Sequence, residues 1–482
     1  MSNLLSLSDY LPEMILLGVI LIAIVMDLVP ATKRFTKGFI LVGLILVAAF
    51  LYQGDTSASS LFMGMSAHDP FGTFFKWLFI IATFFIVLIA KYDDGMDQSI
   101  AAEFNILLLI VMFGLFLMAT ATNLVMVYLA IETVSISSYI LAGMLRNDIK
   151  SNEASLKYVI FGAFASGLML YGFSWLYGLS GSTDLTILRD VLMTQEGPVF
   201  VVYMSILMVL VGIGYKLSMV PFHYWTPDVY EGAPTPLTAY LSVAPKAAGL
   251  ALMIRFFTMT FTDGAGETVA NVDWTVLIAV LSAITMTVGN LLALRQENVK
   301  RLFAFSSIAH AGYMLMVIPV ISTDSSAAIM FYLVPYLFMN LGAFFIAIAV
   351  SNHTGSYDLA GWKGLGKRTP LLAALMVIFL VSLTGLPPTA GFIGKVYLFS
   401  VLIKHQQFYW LAVVAVLNSV IALFYYFRIV REMYFTDSDD TEPLHPHPIL
   451  TWSIISCVIP VLVLGLYWSP VIDWVTASLK MF

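Results

Sequence analysis

The chain has 482 residues, of which 60% are hydrophobic and 11% are charged, and its net charge is −6. A soluble protein carries about 25% charged residues, so this composition indicates a polytopic membrane protein and excludes a soluble domain as the main unit. The one cysteine, Cys457, excludes disulfides within the chain and metal or iron–sulfur sites built from several cysteines.

Apolar runs long enough to cross a membrane follow one another along the whole chain. A transmembrane helix needs about 20 mainly apolar residues. We predict about fourteen spans on this criterion, at 12–30, 38–52, 71–91, 104–120, 123–144, 153–178, 198–219, 236–262, 272–293, 301–320, 326–350, 370–403 (broken), 408–430 and 450–472. The first run lacks a small-residue cleavage site and is predicted to be a retained helix. The fold class is therefore an all-α polytopic membrane protein.

The positive charges predict an orientation for these spans. If the N-terminus lies outside, 14 of the 23 Lys and Arg residues fall in cytoplasmic loops and 3 in outer loops or the C-terminal end. This bias follows the positive-inside rule. We therefore predict a multi-pass protein of the bacterial inner membrane with both termini on the periplasmic side.

Two interrupted helices predict an internal repeat. Helix seven is interrupted near 212–221 and helix twelve at 385–391, five helices later. Interrupted helices at matching positions of two halves are typical of inverted-repeat transporters. Because five is odd, helices 4–8 and 9–13 are predicted to be two inverted repeats. The single membrane domain, 1–482, then divides as follows: 1–100 (helices 1–3), 101–262 (first repeat), 263–432 (second, inverted repeat) and 433–482 (acidic loop and helix 14).

Four ionisable groups in apolar runs of separate spans predict a proton or ion pathway. They are Glu132, Lys216, Lys246 and Lys395. Placing a lysine at the centre of a membrane helix costs roughly 2.5–3.5 kcal/mol, so such a residue is by default a functional-site hypothesis. For Lys216 the alternative is that the side chain snorkels to an interface.

The predicted role of Glu132 is to pair with a buried lysine and to control whether that lysine carries a proton. The alternative is a neutral carboxyl group held by a nearby hydroxyl, such as that of Ser135 or Ser137. Both interpretations satisfy the rule that a buried polar group needs a partner.

Local breaks in the helices accompany the other two lysines. Pro245 precedes Lys246 and removes a helix hydrogen bond, which favours a hydrated cavity there. Lys395 follows Pro387 and Pro388 on the outer half of helix twelve, and we predict that it forms an outer gate.

Three further residues are accessory candidates. Lys157 lies near the cytoplasmic end of helix six, where it can alternatively reach the lipid headgroups. His310 and His223 can relay protons near neutral pH, or each can simply bond to a backbone carbonyl. Lys76 and Arg255 are interpreted as span-end residues and are not among the candidates.

Several kinds of chemistry have no motif in the sequence. There is no Walker loop, no glycine fingerprint for a dinucleotide between a strand and a helix, and no histidine pair at haem-like spacing. His445 and His447 lie in the acidic, proline-rich loop 436–448, which is predicted to be a solvated linker rather than a metal site. We therefore predict no cofactor and no metal in this chain, and no nucleic-acid partner.

Four segments carry a resemblance to a known family. They are GYKLSMVPFHYWTPDVYEGAPTPLTAYLSVAPKAAG at 214–249, AIETVSISSY at 130–139, NVKRLFAFSSIAHAGY at 298–313 and GLPPTAGFIGK at 385–395. The chain closely resembles subunit N of bacterial respiratory complex I, the proton-pumping NADH:quinone oxidoreductase. The DVYEGAPTP stretch is the most specific. It differs in subunits L and M and in Mrp-type cation antiporters, which share the fold.

The resemblance implies roles for the matching residues. Glu132 is similar to the helix-five glutamate that pairs with the helix-seven lysine, here Lys216. Lys246 and Lys395 are similar to the central lysine and to the lysine that leads outside, and Lys157 and His310 match accessory positions. The family's redox centres imply that NADH or another donor, FMN, iron–sulfur clusters and quinone belong to partner subunits of the complex. The alternative that stays open is an Mrp-type cation/proton antiporter subunit.

Overall fold

Helices account for nearly all of the chain. The computed structural model describes residues 3–54, 58–194, 199–263, 268–269, 272–438 and 440–481. Their helices are α1 Asn3–Asp9, α2 Leu11–Leu28, α3 Thr36–Gln53, α4 Pro70–Ile89, α5 Ala101–Thr120, α6 Leu124–Ala142, α7 Ile149–Ser180, α8 Leu185–Thr194, α9 Val199–Leu217, α10 Trp225–Gly232, α11 Thr235–Phe261, α12 Trp274–Ala293, α13 Val299–Leu315, α14 Thr323–Thr354, α15 Leu365–Arg368, α16 Pro370–Thr384, α17 Ala390–His405, α18 Tyr409–Phe435, α19 Pro448–Leu466 and α20 Ser469–Ala477. A short antiparallel hairpin, β1 (Ser59–Leu61) and β2 (Ser66–His68), connects α3 to α4.

The predicted number of spans is confirmed. Thirteen helices in the described residues are long and apolar enough to cross a membrane. The shorter apolar helix α16 continues through a break into α17 and supplies one more crossing. An α-helix satisfies its backbone hydrogen bonds within itself, which is why such sequences form helices in lipid.

Three helices form the centre of the molecule. In their most apolar windows α11 and α13 are 100% buried and α14 is 94% buried, whereas α2, α3, α7 and α19 are 33% buried. A helix that is apolar on all sides and fully covered belongs to the interior of a bundle. Polar side chains on α11, α13 and α14 therefore lie in the interior of the protein and away from lipid.

An internal repeat is visible in two matching turns. Helix α7 ends at Gly181 and helix α14 ends at Gly355, and both glycines have a left-handed backbone with φ of 67° and 69°. In each copy an isolated β-bridge joins a residue just after the glycine to the residue that caps another helix. Asn123, the N-cap of α6, pairs with Asp184, and Asn298, the N-cap of α13, pairs with Asp358.

Helix packing follows the same repeat. A methyl group added to Gly114 of α5 would lie 3.0 Å from the backbone nitrogen of Val134 on α6. At the equivalent position, a methyl group added to Gly289 of α12 would lie 2.7 Å from the backbone nitrogen of Ala309 on α13. Glycine permits this close approach in both copies. The matched helices lie five spans apart, so the two five-helix repeats are inverted, as predicted.

Lys76 and Arg255 lie within two turns of an end of α4 and of α11, as predicted, but both are buried in ion pairs. Lys76 is buried within α4, and its Nζ lies 2.5 Å from Glu13 Oε1 of α2. Arg255 is buried on α11 and donates to both carboxylate oxygens of Asp69, at 2.8 and 2.9 Å. The acidic partner of Lys76 lies on α2, and that of Arg255 caps the start of α4. Because each cation is paired inside the protein, neither needs to reach the membrane surface.

The acidic loop before α19 is attached at both ends. Arg368 donates through Nε to the carbonyl of Glu442 at 2.9 Å, and the Leu444 amide donates to Thr369 Oγ1 at 2.8 Å. His447 stacks on Tyr92 with ring centroids 4.0 Å apart. Within the described ranges no group of three or more His, Cys, Asp or Glu side chains is arranged to hold a metal ion.

Candidate functional site

Lys216 lies in the last turn of α9, just before the first helix break. Helix α9 ends at Leu217 and α10 begins at Trp225, and the amide of Met219 closes the end of α9 by donating to the carbonyl of Gly214 at 2.8 Å. Lys216 is 3% exposed, and its Nζ has no hydrogen-bond partner among the described atoms. A buried ammonium without a partner is costly, so snorkelling does not account for its position.

Glu132 on α6 also has a buried polar atom without a partner, since its Oε1 has no hydrogen-bond partner in the described part of the chain. Ser135 donates to the carbonyl of Ile131 at 2.6 Å, so its hydroxyl is engaged elsewhere and does not hold the Glu132 carboxyl. The field of Glu132 reaches Lys216, although the two side chains are not in ion-pair contact in the described structure. We call Glu132–Lys216 an open pair, because each has a buried polar atom without a hydrogen-bond partner among the described atoms.

Lys246 lies in the fully buried helix α11 and is 1% exposed. Its Nζ donates to Ser307 Oγ of α13 at 2.7 Å, and that hydroxyl donates to the carbonyl of Ala304 at 2.8 Å. Pro245 lies inside α11, as the sequence indicates, and leaves one carbonyl of the preceding turn without its helix partner. Lys246 therefore contacts a polar face of α13.

The polar face of α13 extends from Ser306 to Tyr313. Residues three or four apart share one face of a helix, which aligns Ser306, His310 and Tyr313. The His310 Nδ1 lies 2.7 Å from the hydroxyl of Tyr332, and its Nε2 lies 3.3 Å from that of Tyr426. His310 thus joins hydroxyl groups from α14 and α18, well beyond the single carbonyl of the alternative interpretation.

Lys395 lies at the far end of this polar face. Its Nζ donates to the carbonyl of Thr384 at 2.7 Å and to Ser419 Oγ at 3.2 Å. The ammonium also lies 4.5 Å from the ring centroid of Tyr313. Lys246, His310 and Lys395 therefore form a row beside or on α13, with Lys246 at Ser307 and Lys395 at Tyr313.

The two breaks are equivalent, but their lysines are not. The Leu386 amide donates to the carbonyl of Val381 at 3.1 Å and closes α16 as Met219 closes α9. Lys216 precedes the first break, whereas Lys395 follows the second and lies in α17. The carbonyl that Lys395 uses is available because Gly385, with φ of 85°, ends α16.

Replacing Gly385 with alanine is expected to displace Lys395. A methyl group at this position would lie 2.6 Å from Lys395 Cδ, and a side chain is disfavoured at a φ of 85°. We expect a loss of about 1–3 kcal/mol of stability, which the thermal midpoint measures. Gly355→Ala is the control, because its φ is also left-handed but nothing lies within 4 Å of the added methyl group. An equal loss of stability in the two variants would contradict the expected clash with Lys395.

The remaining accessory residues lie outside this row. Lys157 on α7 forms ion pairs with Asp228 of α10 at 2.5 Å and with Glu153 at 2.6 Å, and it is 37% exposed. Arg301 also pairs with Asp228, at 2.7 Å. His223 is buried between α9 and α10, and its Nδ1 has no partner among the described atoms.

Two buried charges give no signal in the sequence. Lys300 is one of the 14 cations that the predicted orientation places in cytoplasmic loops, yet it is 3% exposed at the start of α13. Asp93, just after α4, is 1% exposed. Burial raises the pKa of the Asp93 carboxyl, because its surroundings stabilise the anion less well than water does. Both residues have polar neighbours in the sequence, which is typical of exposed loops, so their burial is not predictable from the sequence.

Comparison with known proteins gives a consistent result. A sequence profile described as NADH:quinone oxidoreductase/Mrp antiporter, transmembrane, matches residues 121–422. The chain is 46% identical to NADH-quinone oxidoreductase subunit N 2 of Sorangium cellulosum, over 100% of this chain and 99% of that protein. A chain of respiratory complex I from Thermus thermophilus superposes with a TM-score of 0.79 at 29% identity, covering 96% of this chain and 98% of that one. A chain of the Mrp complex from Dietzia sp. DQ12-45-1b has the same fold, with a TM-score of 0.80 at 19% identity, covering 99% and 97%.

Proposed function

Because the chain belongs to the NADH:quinone oxidoreductase/Mrp antiporter transmembrane family, we propose that it is a proton-translocating membrane-arm subunit of NADH:quinone oxidoreductase, complex I. Relatives that align over the whole chain are named subunits of that enzyme. The observation that carries the proposal is the row of buried ionisable groups along α13, from Lys246 past His310 to Lys395. The chain acts as part of a translocase and performs no redox chemistry alone.

The open pair Glu132–Lys216 is the proposed input for coupling. Glu132 lies on one face of α6 with Val125, Leu129, Ile136 and Ile140, which are 44–55% exposed. A neighbouring membrane subunit that covers this apolar face can therefore act on the Glu132 carboxylate directly. Other membrane-arm subunits, together with lipids, are the proposed partners.

The proposed proton path has three steps. A proton enters from the cytoplasm near Lys157 and reaches Lys216 and Lys246. Movement of Glu132 towards or away from Lys216 changes the affinity of Lys216 for that proton, since a nearby carboxylate favours the ammonium form. The proton then passes by way of His310 and water to Lys395, which releases it outside.

The energy required is within reach of such a rearrangement. Moving one charge against 100 mV takes about 2.3 kcal/mol. A ten-fold change in proton affinity corresponds to about 1.36 kcal/mol. A change in the proton affinity of Lys216 of less than about a hundred-fold is therefore sufficient.

We infer that the redox cofactors belong to partner subunits. NADH or another electron donor, FMN, iron–sulfur clusters and quinone are assigned there, since the chain contains neither a dinucleotide motif nor a set of cysteines. The distribution of Lys and Arg supports a location in the bacterial inner membrane with both termini periplasmic. We also propose the division into residues 1–100, 101–262, 263–432 and 433–482.

The proposal is tested by Lys216→Ala and Glu132→Ala in the assembled enzyme. Each variant removes one member of the open pair, and we expect proton pumping to fall by at least about ten-fold, equal to about 1.4 kcal/mol. Pumping into proteoliposomes is measured beside quinone reduction. Lys404→Ala is the control, because Lys404 lies exposed at the end of α17 and pairs with Asp324. Normal coupling in both test variants would refute the proposed role of the pair.

A cation/proton antiporter subunit is the second candidate. The shared fold with the Mrp complex favours it. Sodium-dependent transport by the isolated chain in vesicles would support the antiporter, whereas co-purification with redox subunits supports complex I. A third candidate is a structural spacer. It predicts normal pumping in single variants of Glu132, Lys216, Lys246 and Lys395.

A further inference from the structure

A second cluster of buried ionisable groups lies at the cytoplasmic ends of α11 and α13 in the proposed orientation. Lys300 donates through Nζ to the carbonyl of Ala233 at 2.7 Å and lies 4.8 Å from the ring centroid of Tyr357. Asp93 contacts the amide of Thr235 and the hydroxyl of Tyr357. The path from Lys157 described above uses none of these groups.

These two charges do not form a simple structural ion pair. Asp93 and Lys300 influence each other electrostatically, but within the described residues they are not in ion-pair contact. Hydroxyl groups lie beside them, with Thr235 Oγ1 donating to the Tyr357 hydroxyl at 2.5 Å. Two buried charges held apart are less stable than a direct pair. A stabilising role alone therefore does not account for their arrangement.

The cluster is close to solvent on one side. Tyr92 and Asp94, the neighbours of Asp93 in sequence, line an open cavity of about 440 Å³ together with Asn352. The Asn352 side chain accepts from the Asp94 amide at 3.1 Å and donates to the Tyr92 carbonyl at 2.8 Å. The cavity reaches the residues on either side of Asp93, while the Asp93 side chain itself is buried behind them.

On its other side the cluster leads towards Lys246. Lys300 and Ser307 are seven residues apart on α13, which is about 10 Å along the helix. The Tyr230 hydroxyl faces Ser307 along this stretch and is buried without a hydrogen-bond partner in the described part of the structure. One or two water molecules beside that hydroxyl would span the remaining distance. Ser307 itself accepts from Lys246.

We propose that Asp93 and Lys300 form a second cytoplasmic proton entrance, which leads by way of Tyr230 and Ser307 to Lys246. This inference rests on the proposed function. A cytoplasmic proton binds the Asp93 carboxylate and is then transferred through water and hydroxyl groups to the neutral amine of Lys246, so that Asp93 returns to its carboxylate form. Lys300 is a positioning residue whose fixed charge favours release of the proton from Asp93.

The test compares variants with one or both entrances closed. Asp93→Asn and Tyr230→Phe keep the size of each side chain and remove the proton-carrying group, and Lys157→Met closes the first entrance. In the assembled enzyme we expect each single variant to pump about two-fold more slowly than the unmodified enzyme, because one of two routes is lost, and Asp93→Asn with Lys157→Met to pump at least about ten-fold more slowly, well beyond the roughly four-fold loss that independent effects would give. Asp93→Glu combined with Lys157→Met restores pumping, which a purely structural role would not require.

Tyr240→Phe is the matched control for Tyr230→Phe. Tyr240 is also buried, and its hydroxyl lies 2.9 Å from Thr83 Oγ1, outside the proposed route. With Lys157→Met it is expected to pump as Lys157→Met alone. If Asp93→Asn with Lys157→Met also pumps as Lys157→Met alone, the second entrance is refuted. Full pumping by Lys246→Met would instead refute the proposed function.

Discussion

Lys246→Met is expected to reduce proton pumping by at least about a hundred-fold, equal to about 2.7 kcal/mol. Lys246 is the one described ammonium that contacts Ser307, and both proposed entrances lead to it. Methionine has a similar length and is apolar, so the fully buried α11 keeps its packing. Quenching of a pH-sensitive dye in proteoliposomes measures pumping, and the amount of assembled complex measures folding.

Ser307→Ala provides the graded comparison for this variant. It removes the acceptor of the 2.7 Å hydrogen bond and leaves the ammonium in place. Loss of one hydrogen bond to a charged group corresponds to about 1.5–3 kcal/mol, so pumping is expected to fall by less than in Lys246→Met. A larger defect in Ser307→Ala than in Lys246→Met would show that the hydroxyl, and not the amine, is the essential carrier.

Arg255→Ala is expected to destabilise the protein by about 3–5 kcal/mol, because it leaves a buried carboxylate without its cation. Asp69 and Arg255 are both 0% exposed at the side chain. Arg255 also donates to the carbonyl of Ala119 at 3.0 Å, and Asp69 accepts from the amide of Gly72 at 2.8 Å. The pair therefore connects α4, α5 and α11 at one end of the bundle. The thermal midpoint of the detergent-solubilised protein measures the loss.

The controls for Arg255→Ala separate charge pairing from packing. Asp69→Asn combined with Arg255→Met removes both charges and is expected to be less damaging than Arg255→Ala alone. Arg189→Ala removes an exposed pair with Asp190 and is expected to cost less than about 1 kcal/mol. If Arg255→Ala is as mild as Arg189→Ala, the buried pair does not hold the three helices together.

Hydropathy and local breakers were sufficient to predict the spans and the two interruptions. Runs of apolar residues must form helices in lipid, and Pro221 and Pro388 cannot continue one. The positions of Glu132, Lys216, Lys246 and Lys395 inside spans were also readable, because a charge in an apolar run is conspicuous by itself. Their roles in transport stay a prediction that the proposed variants test.

Partners distant in sequence were not predictable. Asp69 is separated from Arg255 by 186 residues, so their contact depends on which helices pack together. The same holds for His310, whose hydroxyl partners come from two other helices. Lys300 and Asp93 lie in polar sequence and appear exposed until the neighbouring helices and loops cover them. Sequence spacing identifies faces of one helix and carries no information on its neighbours.

The two copies of the Asn–Asp turn have a consequence for membrane insertion. Asn123 with Asp184 and Asn298 with Asp358 form the same bridge on opposite sides of the membrane in the proposed orientation. The turn can therefore form on either side of the membrane, and it does not determine which loops are translocated. Around the second copy the chain has Arg295, Lys300, Arg301, Lys363, Lys367 and Arg368, whereas the loop of the first copy has Arg189. The repeated turn is thus neutral towards direction, and the Lys and Arg residues of the loops supply the direction during biosynthesis.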